Sequence, residues 1–253
     1  MILDSFKLTG KNALVTGSSR GMGAEIAIAF AQAGANVALH GTKAISNEVI
    51  ERVAQTGVSH VELAADLSDP KHGSELVQRA IAALGSIDIL VNNAGTTRRA
   101  PAVDYSESDW DYVLATNLTS VFRICQAAGR SMLKQRSGKI INIASLLSFQ
   151  GGITVPAYAA AKGGVAQLTK ALANEWAAHG VQVNAIAPGY MATDLTQALQ
   201  NDATRNRQIL ERIPASRWGT PQDVAGAAVF LASKASDYIS GHVLAVDGGW
   251  LAR

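Results

Sequence analysis

Three side chains in the second half of the sequence have the types and spacing of a proton-transfer site. Tyr158 and Lys162 lie four residues apart in PAYAAAKGG, whose alanines and upstream Pro156 favour a helix that places both on one face. A phenol with a pKa of about 10 is a poor acid–base group at neutral pH, and a neighbouring ammonium is expected to lower that pKa. Ser145, thirteen residues before Tyr158, can donate a hydrogen bond to a substrate oxygen.

Two glycine-containing segments have the positions of a dinucleotide site. TGSSRGMG, residues 16–23, lies between the first predicted strand and a helix, where glycines let the backbone approach a pyrophosphate at the helix N-terminus. NNAG, residues 92–95, follows the fourth predicted strand, and its small residues leave room for adenosine or ribose. The predicted cofactor-binding residues of these segments are Gly17, Ser19, Arg20, Gly21, Met22, Gly23, Asn93, Ala94 and Gly95.

The end of the second predicted strand bears on the choice of cofactor. Gly41 stands where an NAD enzyme usually carries an acidic residue that binds the ribose 2′-hydroxyl. Thr42, Lys43 and the nearby Arg20 are polar or cationic instead, which favours the 2′-phosphate of NADP(H). Lys43 could equally be a solvated loop charge, so NAD(H) remains the alternative.

These side chains must be positioned by an α/β fold. The chain has 253 residues, 48% of them hydrophobic, and short apolar runs alternate with helix-length segments such as 23–33 and 73–84. This alternation predicts a single domain over residues 1–253 with a doubly wound, Rossmann-like parallel sheet, which binds ligands at the carboxyl ends of its strands. The predicted strands are residues 12–16, 36–40, 60–64, 87–91, 139–143, 182–186 and 243–246.

Residues 190–218 break the alternation with a polar, helical-looking stretch. We predict a small helical segment that caps the substrate, with Pro188 and Gly189 before it as a hinge. The alternative is a surface excursion without function.

Composition excludes several classes of partner. Lys and Arg total 22 against 20 Asp and Glu, a near-balance that argues against nucleic acid. No apolar run approaches the roughly 18 residues of a membrane span, and the start of the chain shows no signal-peptide core. We therefore expect a cytoplasmic protein with no membrane partner. The five histidines have no metal-ligand spacing and Cys125 has no partner cysteine, so we expect no metal.

In these residues and their order the chain resembles the short-chain dehydrogenase/reductases along essentially its whole length. The resemblance implies a homotetramer and a catalytic set of Ser145, Tyr158, Lys162 and Asn117, in which Asn117 helps to hold a water of the proton relay. Lys162 would also bond the nicotinamide ribose. The resemblance further implies cofactor contacts at Asp66, Leu67, Pro188, Gly189, Met191 and Thr193, besides Tyr158 and Lys162.

Segments such as INIASLLSFQGGITVPAY and AVDGGWLAR resemble the bacterial subfamily that acts on 2-dehydro-3-deoxy-D-gluconate or 2-deoxy-D-gluconate, in uronate breakdown. This implies hydride transfer between a nicotinamide cofactor and a keto or hydroxy group of a deoxy sugar acid. Arg98 or Arg99 could clamp the acid's carboxylate, or both could be solvated loop charges. The alternatives are a reductase of another carbonyl, such as a 3-oxoacyl thioester, and a non-catalytic nucleotide-binding regulator. The remaining predicted substrate residues are Ser145, Gln150, Tyr190 and Trp218.

Overall fold

The computed structural model describes residues 1–253 and contains one sheet of seven parallel strands in the order β3-β2-β1-β4-β5-β6-β7. All seven predicted strands are present, and the prediction of a doubly wound parallel sheet is confirmed. The strands are β1 (Asn12–Val15), β2 (Asn36–Gly41), β3 (His60–Ala64), β4 (Ile89–Asn92), β5 (Gly138–Ile143), β6 (Val181–Pro188) and β7 (Val243–Val246).

Helices cover both faces of this sheet, which explains the nearly unbroken apolar runs in the strands. Val15 of β1 belongs to a cluster of 25 buried residues under α1, α2 and α9, whereas its neighbour Leu14 belongs to a cluster of 20 under α3, α5 and α6. None of the helices combines the length and apolarity needed to cross a bilayer. The helices are α1 (Gly21–Gln32), α2 (Asn47–Ala54), α3 (Lys71–Leu84), α4 (Glu107–Leu114), α5 (Ser120–Gln135), α6 (Pro156–Trp176), α7 (Gln197–Asn201), α8 (Ala203–Arg212) and α9 (Pro221–Ala232).

The strand order reverses on either side of β1, between β2 and β4. At such a point the connecting helices leave to opposite faces, and a crevice opens beyond the carboxyl ends of the strands. The segment TGSSRGMG, residues 16–23 and called the glycine loop from here on, follows β1. Residues 93–95 follow β4, and Ser145 follows β5. The fold therefore brings these three segments, which are far apart in sequence, to the same edge of the sheet.

Residues 190–218, here called the capping segment, leave the sheet after β6 and return at α9. They contain α7 and α8, and a β-bridge between Met191 and Gly219 closes their base. A separate cluster of four buried residues, Leu146, Ile209, Ile213 and Trp250, packs α8 against the body of the protein. The apolar cluster under this segment is thus much smaller than the two clusters that lie under the helices on the faces of the sheet.

Candidate active site

The glycine loop has no room for side chains at its closest point. A Cβ built on Gly23 would lie 2.2 Å from the carbonyl oxygen of Gly17, and one on Gly17 would lie 2.9 Å from the Cα of Ala94. Gly17 and Gly21 also have φ values of +65° and +58°, a region that favours glycine. The result is a bare backbone cradle at the N-terminus of α1, which fits the pyrophosphate of a dinucleotide.

The NNAG segment is bonded directly to this loop. The Thr16 hydroxyl accepts hydrogen bonds from the backbone N–H groups of Asn93, at 2.9 Å, and Ala94, at 3.0 Å. In return the Asn93 carboxamide donates to the carbonyls of Thr16 and Gly17, both at 3.0 Å. Two segments predicted separately therefore form one rigid unit.

His40, for which the sequence predicted no role, is part of the same unit. Its Nδ1 accepts from the Gly17 N–H at 3.0 Å, and its Nε2 lies 3.0 Å from the carbonyl oxygen of Ala65. A carbonyl can only accept, so the ring carries its proton on Nε2. Burial lowers the pKa of His40 and favours this neutral form. Its position at the end of β2, beside the glycine loop, is the signal that was overlooked.

At the end of β2 there is no space at Gly41 for the acidic side chain that binds the ribose 2′-hydroxyl in NAD enzymes. A Cβ on Gly41 would lie 2.9 Å from the carbonyl oxygen of Lys43 and 3.3 Å from the Cβ of Ser19. The side chain of Arg20 forms an exposed ion pair with Asp194 of the capping segment at 3.0 Å. Thr42 and Lys43 are both exposed. The surroundings therefore fit a 2′-phosphate better than a bare 2′-hydroxyl.

Asp66 and Leu67, the two predicted contacts after β3, hold their own loop in place. The Asp66 carboxylate accepts from the Ser68 N–H at 2.9 Å, and this hydrogen bond holds the pKa of Asp66 below its usual value. The Leu67 carbonyl accepts from the Ser120 hydroxyl at 2.6 Å. Both contacts order the turn between β3 and α3, at the same edge of the sheet as the glycine loop.

Ser145, Tyr158 and Lys162 lie where β5 ends against α6. The Lys162 ammonium donates to the carbonyl of Ile143 at 2.5 Å, and the Lys162 carbonyl accepts from the Ser148 hydroxyl at 2.7 Å. Its Nζ lies 5.6 Å from the centroid of the Tyr158 ring, so the two side chains do share a helix face. Lys162 thus ties the helix to the strand end through both its side chain and its backbone.

The pKa shifts at this cluster differ in one respect from the sequence-based expectation. Burial raises the pKa of Tyr158, while a hydrogen bond with Ser145 and the charge of Arg99 lower it. The Lys162 ammonium itself donates to the Ile143 carbonyl. Burial lowers the pKa of Lys162 to about 8, so the amine is still mostly protonated at neutral pH. Burial thus raises the pKa of Tyr158 where the sequence predicted a lowered one, and the effect of Lys162 on the phenol stays a prediction.

Asn117 lies in a feature that the sequence did not reveal, a π-helical turn over Ala115–Thr119 between α4 and α5. Such turns are frequent at functional sites. The Asn117 carboxamide is buried and holds the backbone of Thr96 at both ends, accepting from its N–H at 2.8 Å and donating to its carbonyl at 2.7 Å. These bonds position the loop that continues from NNAG towards Arg99.

A cavity of about 420 Å³ joins the cofactor segments to the catalytic cluster. It extends from the start of α1, past the ends of β5 and β6, to the capping segment. Ten of the predicted site residues line it: Met22, Arg99, Ser145, Gln150, Tyr158, Pro188, Gly189, Tyr190, Met191 and Thr193.

Two predicted substrate residues lie outside this cavity. The Arg98 guanidinium pairs with the Asp109 carboxylate at 3.4 Å and stacks on the Tyr112 ring, so of the two neighbouring arginines only Arg99 lines the cavity. Trp218 donates its indole N–H to Asn206 at 2.8 Å and packs edge-on against Tyr190. Trp218 therefore supports a lining residue instead of lining the cavity itself.

The sequence did not predict the other sixteen lining residues, among them Arg205, Arg212 and Trp250. The two arginines lie seven residues apart, or two turns of α8, with Ile209 between them. That spacing was readable in the sequence as one helix face. Its orientation towards the cavity depends on how the capping segment packs.

Cys125 takes part in a buried polar chain away from the cavity. Asn92 donates to the Cys125 sulfur at 3.2 Å and to Asn142 at 2.9 Å, and Asn142 donates to Thr169 at 2.9 Å. Burial raises the pKa of the thiol to about 12, as expected for a structural cysteine. Nowhere does the structure bring together three or more His, Cys, Asp or Glu side chains as a metal site.

Comparisons with known proteins agree with this geometry. A family model described as enoyl-(acyl carrier protein) reductase matches residues 17–251. The 2-dehydro-3-deoxy-D-gluconate 5-dehydrogenase of Dickeya dadantii is 53% identical over 100% of both chains, and that of Bacillus subtilis is 54% identical over 99% of this chain and 98% of its own. The crystal structure of a gluconate 5-dehydrogenase from Burkholderia cenocepacia, in complex with NADP and tartrate, is 40% identical over 100% of both chains with a TM-score of 0.95. The chain therefore belongs to the short-chain dehydrogenase/reductase family, as its motifs predicted.

Proposed function

We propose that the protein transfers a hydride between NADP(H) and a keto or hydroxy group of a deoxy sugar acid of the 2-dehydro-3-deoxy-D-gluconate type. The observation that carries this proposal is that one cavity is lined both by Met22 and Thr193 and by Ser145 and Tyr158. Its lining contains arginines but no Asp or Glu. Such a cavity suits an anionic substrate beside a nicotinamide ring. The names of the relatives that are more than half identical support the same substrate class.

As a member of its family the protein is an NAD(P)-dependent oxidoreductase acting on CH–OH groups. Two observations support NADP(H) as the cofactor. Gly41 leaves no space for an acidic side chain at the end of β2, and the Burkholderia relative was crystallised with NADP. The glycine loop, with Asn93 and His40 behind it, would hold the pyrophosphate.

The bound nicotinamide supplies or accepts the hydride at the substrate carbon. During reduction the Tyr158 hydroxyl gives its proton to the carbonyl oxygen, and during oxidation the phenolate takes the proton from the alcohol. Burial keeps the pKa of Tyr158 high, so at neutral pH the phenol is in the protonated form that reduction requires. Ser145 donates a hydrogen bond to the same oxygen. Lys162 uses one N–H for the Ile143 carbonyl and keeps two for the ribose hydroxyls.

The main alternative is a reductase of an acyl thioester, a possibility that the description of the matching family model also raises. The arginines of the cavity favour a small anion over the neutral acyl chain of such a substrate. A non-catalytic regulator would need the dinucleotide site alone. It would not need Ser145, Tyr158 and Lys162 packed together at the end of β5.

The proposal is tested by following NADPH and NADH oxidation with keto sugar acids, 3-oxoacyl and enoyl thioesters, and cyclic ketones. We expect the highest kcat/KM with 2-dehydro-3-deoxy-D-gluconate-type acids and with NADPH over NADH. A higher kcat/KM with a thioester than with any sugar acid would show that the protein is an acyl thioester reductase. Dinucleotide binding without turnover of any of these compounds would instead indicate the regulator.

We also propose a homotetramer in the cytoplasm. Exposed aromatic side chains on α4 and α5, Trp110, Tyr112 and Phe122, support association, and a single cysteine without a disulfide partner suits a reducing compartment. Light scattering at micromolar concentration is expected to give the mass of four chains, and a monomer would contradict the proposal.

A further inference from the structure

The helix α8 of the capping segment presents two arginines to the cavity. Arg205, Ile209 and Arg212 follow one another at spacings of four and three residues, which places them on one helix face. Ile209 is 2% exposed and anchors this face in the cluster with Leu146 and Trp250, while both arginines line the cavity. The other face of the helix carries Arg207, which is exposed and pairs with Glu211 at 3.8 Å.

The positive charges of the inner face are not neutralised within the protein. Arg205 donates to the side-chain oxygen of Gln208 at 2.7 Å and Arg212 to that of Gln150 at 3.3 Å, and both acceptors are neutral. None of the residues lining the cavity is Asp or Glu. An anion that enters the cavity therefore meets guanidinium groups without a competing carboxylate.

Arg212 is also held in position before any anion arrives. Its guanidinium lies 4.1 Å from the centroid of the Trp250 ring, within the range of a cation–π contact. The same Gln150 oxygen that it contacts also accepts from the Trp250 indole N–H at 3.3 Å. A guanidinium has five N–H donors, and this arrangement occupies only one of them. The others remain available for bidentate binding of a carboxylate.

Arg99 occupies a different part of the cavity. Its charge lowers the pKa of the Tyr158 phenol, and the N–H of the next residue, Ala100, donates at 3.1 Å to the carbonyl of Thr154, four residues before Tyr158. Arg99 therefore lies at the proton-transfer end of the cavity, whereas the two α8 arginines lie on the capping side, where Ile209 packs against Leu146 and Trp250.

We infer that Arg212, assisted by Arg205, binds the carboxylate of the substrate, and that Arg99 acts beside the reacting oxygen. This assignment rests on the proposed function, because it takes the substrate to be a sugar acid. It predicts that the carbon undergoing hydride transfer is separated from the carboxylate by several carbons of the sugar chain. It also moves the expected clamp from the loop after β4 to the capping segment.

The test compares Arg212→Gln and Arg205→Gln with Arg207→Gln, the matched control on the outer face of the same helix. With 2-dehydro-3-deoxy-D-gluconate as substrate, we expect Arg212→Gln to raise KM by about tenfold to a hundredfold, the loss expected for hydrogen bonds to a charged group, with kcat close to wild type. Arg205→Gln should have a smaller effect and Arg207→Gln none. Arg212→Lys keeps the positive charge but loses the planar guanidinium, so its KM should lie between those of wild type and Arg212→Gln.

A second measurement separates this inference from the proposed function. Calorimetric titration of the NADP⁺-saturated enzyme with D-gluconate should show weaker binding in Arg212→Gln than in Arg207→Gln, and D-glucitol, which lacks the carboxylate, should not distinguish the two variants. Equal gluconate affinities in both variants, or a rise in KM confined to Arg99→Gln, would overturn the assignment to α8. If wild type does not turn over any sugar acid, the proposed function fails, and the gluconate titration still decides whether Arg212 is the carboxylate site.

Discussion

Around the glycine loop a single added Cβ at Gly23 would collide with a backbone carbonyl at 2.2 Å, whereas α8 in the capping segment carries one exposed and one half-buried arginine on a face anchored by a buried isoleucine. The first region is built from closely packed backbone and from hydrogen bonds of Asn93 and His40 to the Thr16 and Gly17 backbone. The second is built from long side chains that can be exchanged without disturbing the sheet. This contrast suggests that the chemistry is set by the sheet side of the cavity and the choice of substrate by the capping side.

The sizes of the apolar clusters point the same way. The two clusters on either side of the sheet contain 25 and 20 buried residues, and the one under the capping segment contains four. A segment with few buried contacts opens locally at a lower free energy than the core does. We therefore expect the capping segment to move more readily than the catalytic cluster when substrate enters and leaves.

The largest effect is expected from a substitution on the sheet side of the cavity. Replacing Tyr158 by Phe removes the proton donor and should lower kcat by about 10²- to 10⁴-fold, the usual contribution of a positioned acid or base. Steady-state kinetics with the best substrate of the panel measure this loss. The thermal unfolding midpoint and NADPH affinity should stay close to wild type. A variant with nearly wild-type kcat would remove Tyr158 from the reaction.

A pair of core substitutions tests whether the two regions differ in stability. Ile141→Ala in β5 should lower the free energy of unfolding by about 2–5 kcal/mol, since it leaves a cavity in the cluster of 25 buried residues. Ile209→Ala in α8 should instead raise KM and speed amide hydrogen exchange in the capping segment, with a much smaller change in global unfolding. If denaturant unfolding gave the same loss of unfolding free energy in both variants, the capping segment and the sheet would unfold as one unit.

The burial of Lys162 predicts how stability depends on pH. Its pKa falls from 10.5 to about 8 in the folded protein, so between these values the unfolded chain binds a proton that the native state does not. The contribution of Lys162 to the free energy of unfolding therefore increases with pH, by about 3 kcal/mol between pH 8 and 10.5. Lys162→Met lacks this contribution. The stability of wild type relative to Lys162→Met, from urea unfolding, should therefore increase between pH 8 and 10.5, and a flat difference would contradict the assigned pKa.

Two glycine substitutions give the smallest effects and sharpen the comparison of local packing. Gly23→Ala should weaken NADPH binding by about tenfold or more, roughly 1.4 kcal/mol, because the new Cβ forces the Gly17 carbonyl to move. Gly226→Ala in α9 meets no atom within 4 Å and should stabilise the protein by about 0.5–1 kcal/mol through helix propensity. Fluorescence titration with NADPH and thermal unfolding of both variants provide the measurements. Unchanged NADPH affinity in Gly23→Ala would show that the loop can accommodate a Cβ at this position.

The sequence by itself determined the parallel sheet, the glycine loop and the shared helix face of Tyr158 and Lys162, because each depends on local patterns: apolar runs, glycines after a strand, and a spacing of four residues. Only the tertiary structure decided the use of His40 behind the glycine loop, the π-helical turn at Asn117, and the exclusion of Arg98 and Trp218 from the cavity. Neighbouring arginines look equivalent in a sequence, and which of them faces a cavity depends on partners such as Asp109 that lie elsewhere in the chain. The direction of the α8 arginines likewise depends on Ile209, Leu146 and Trp250 packing together, and long-range contacts of this kind leave no local pattern in the sequence.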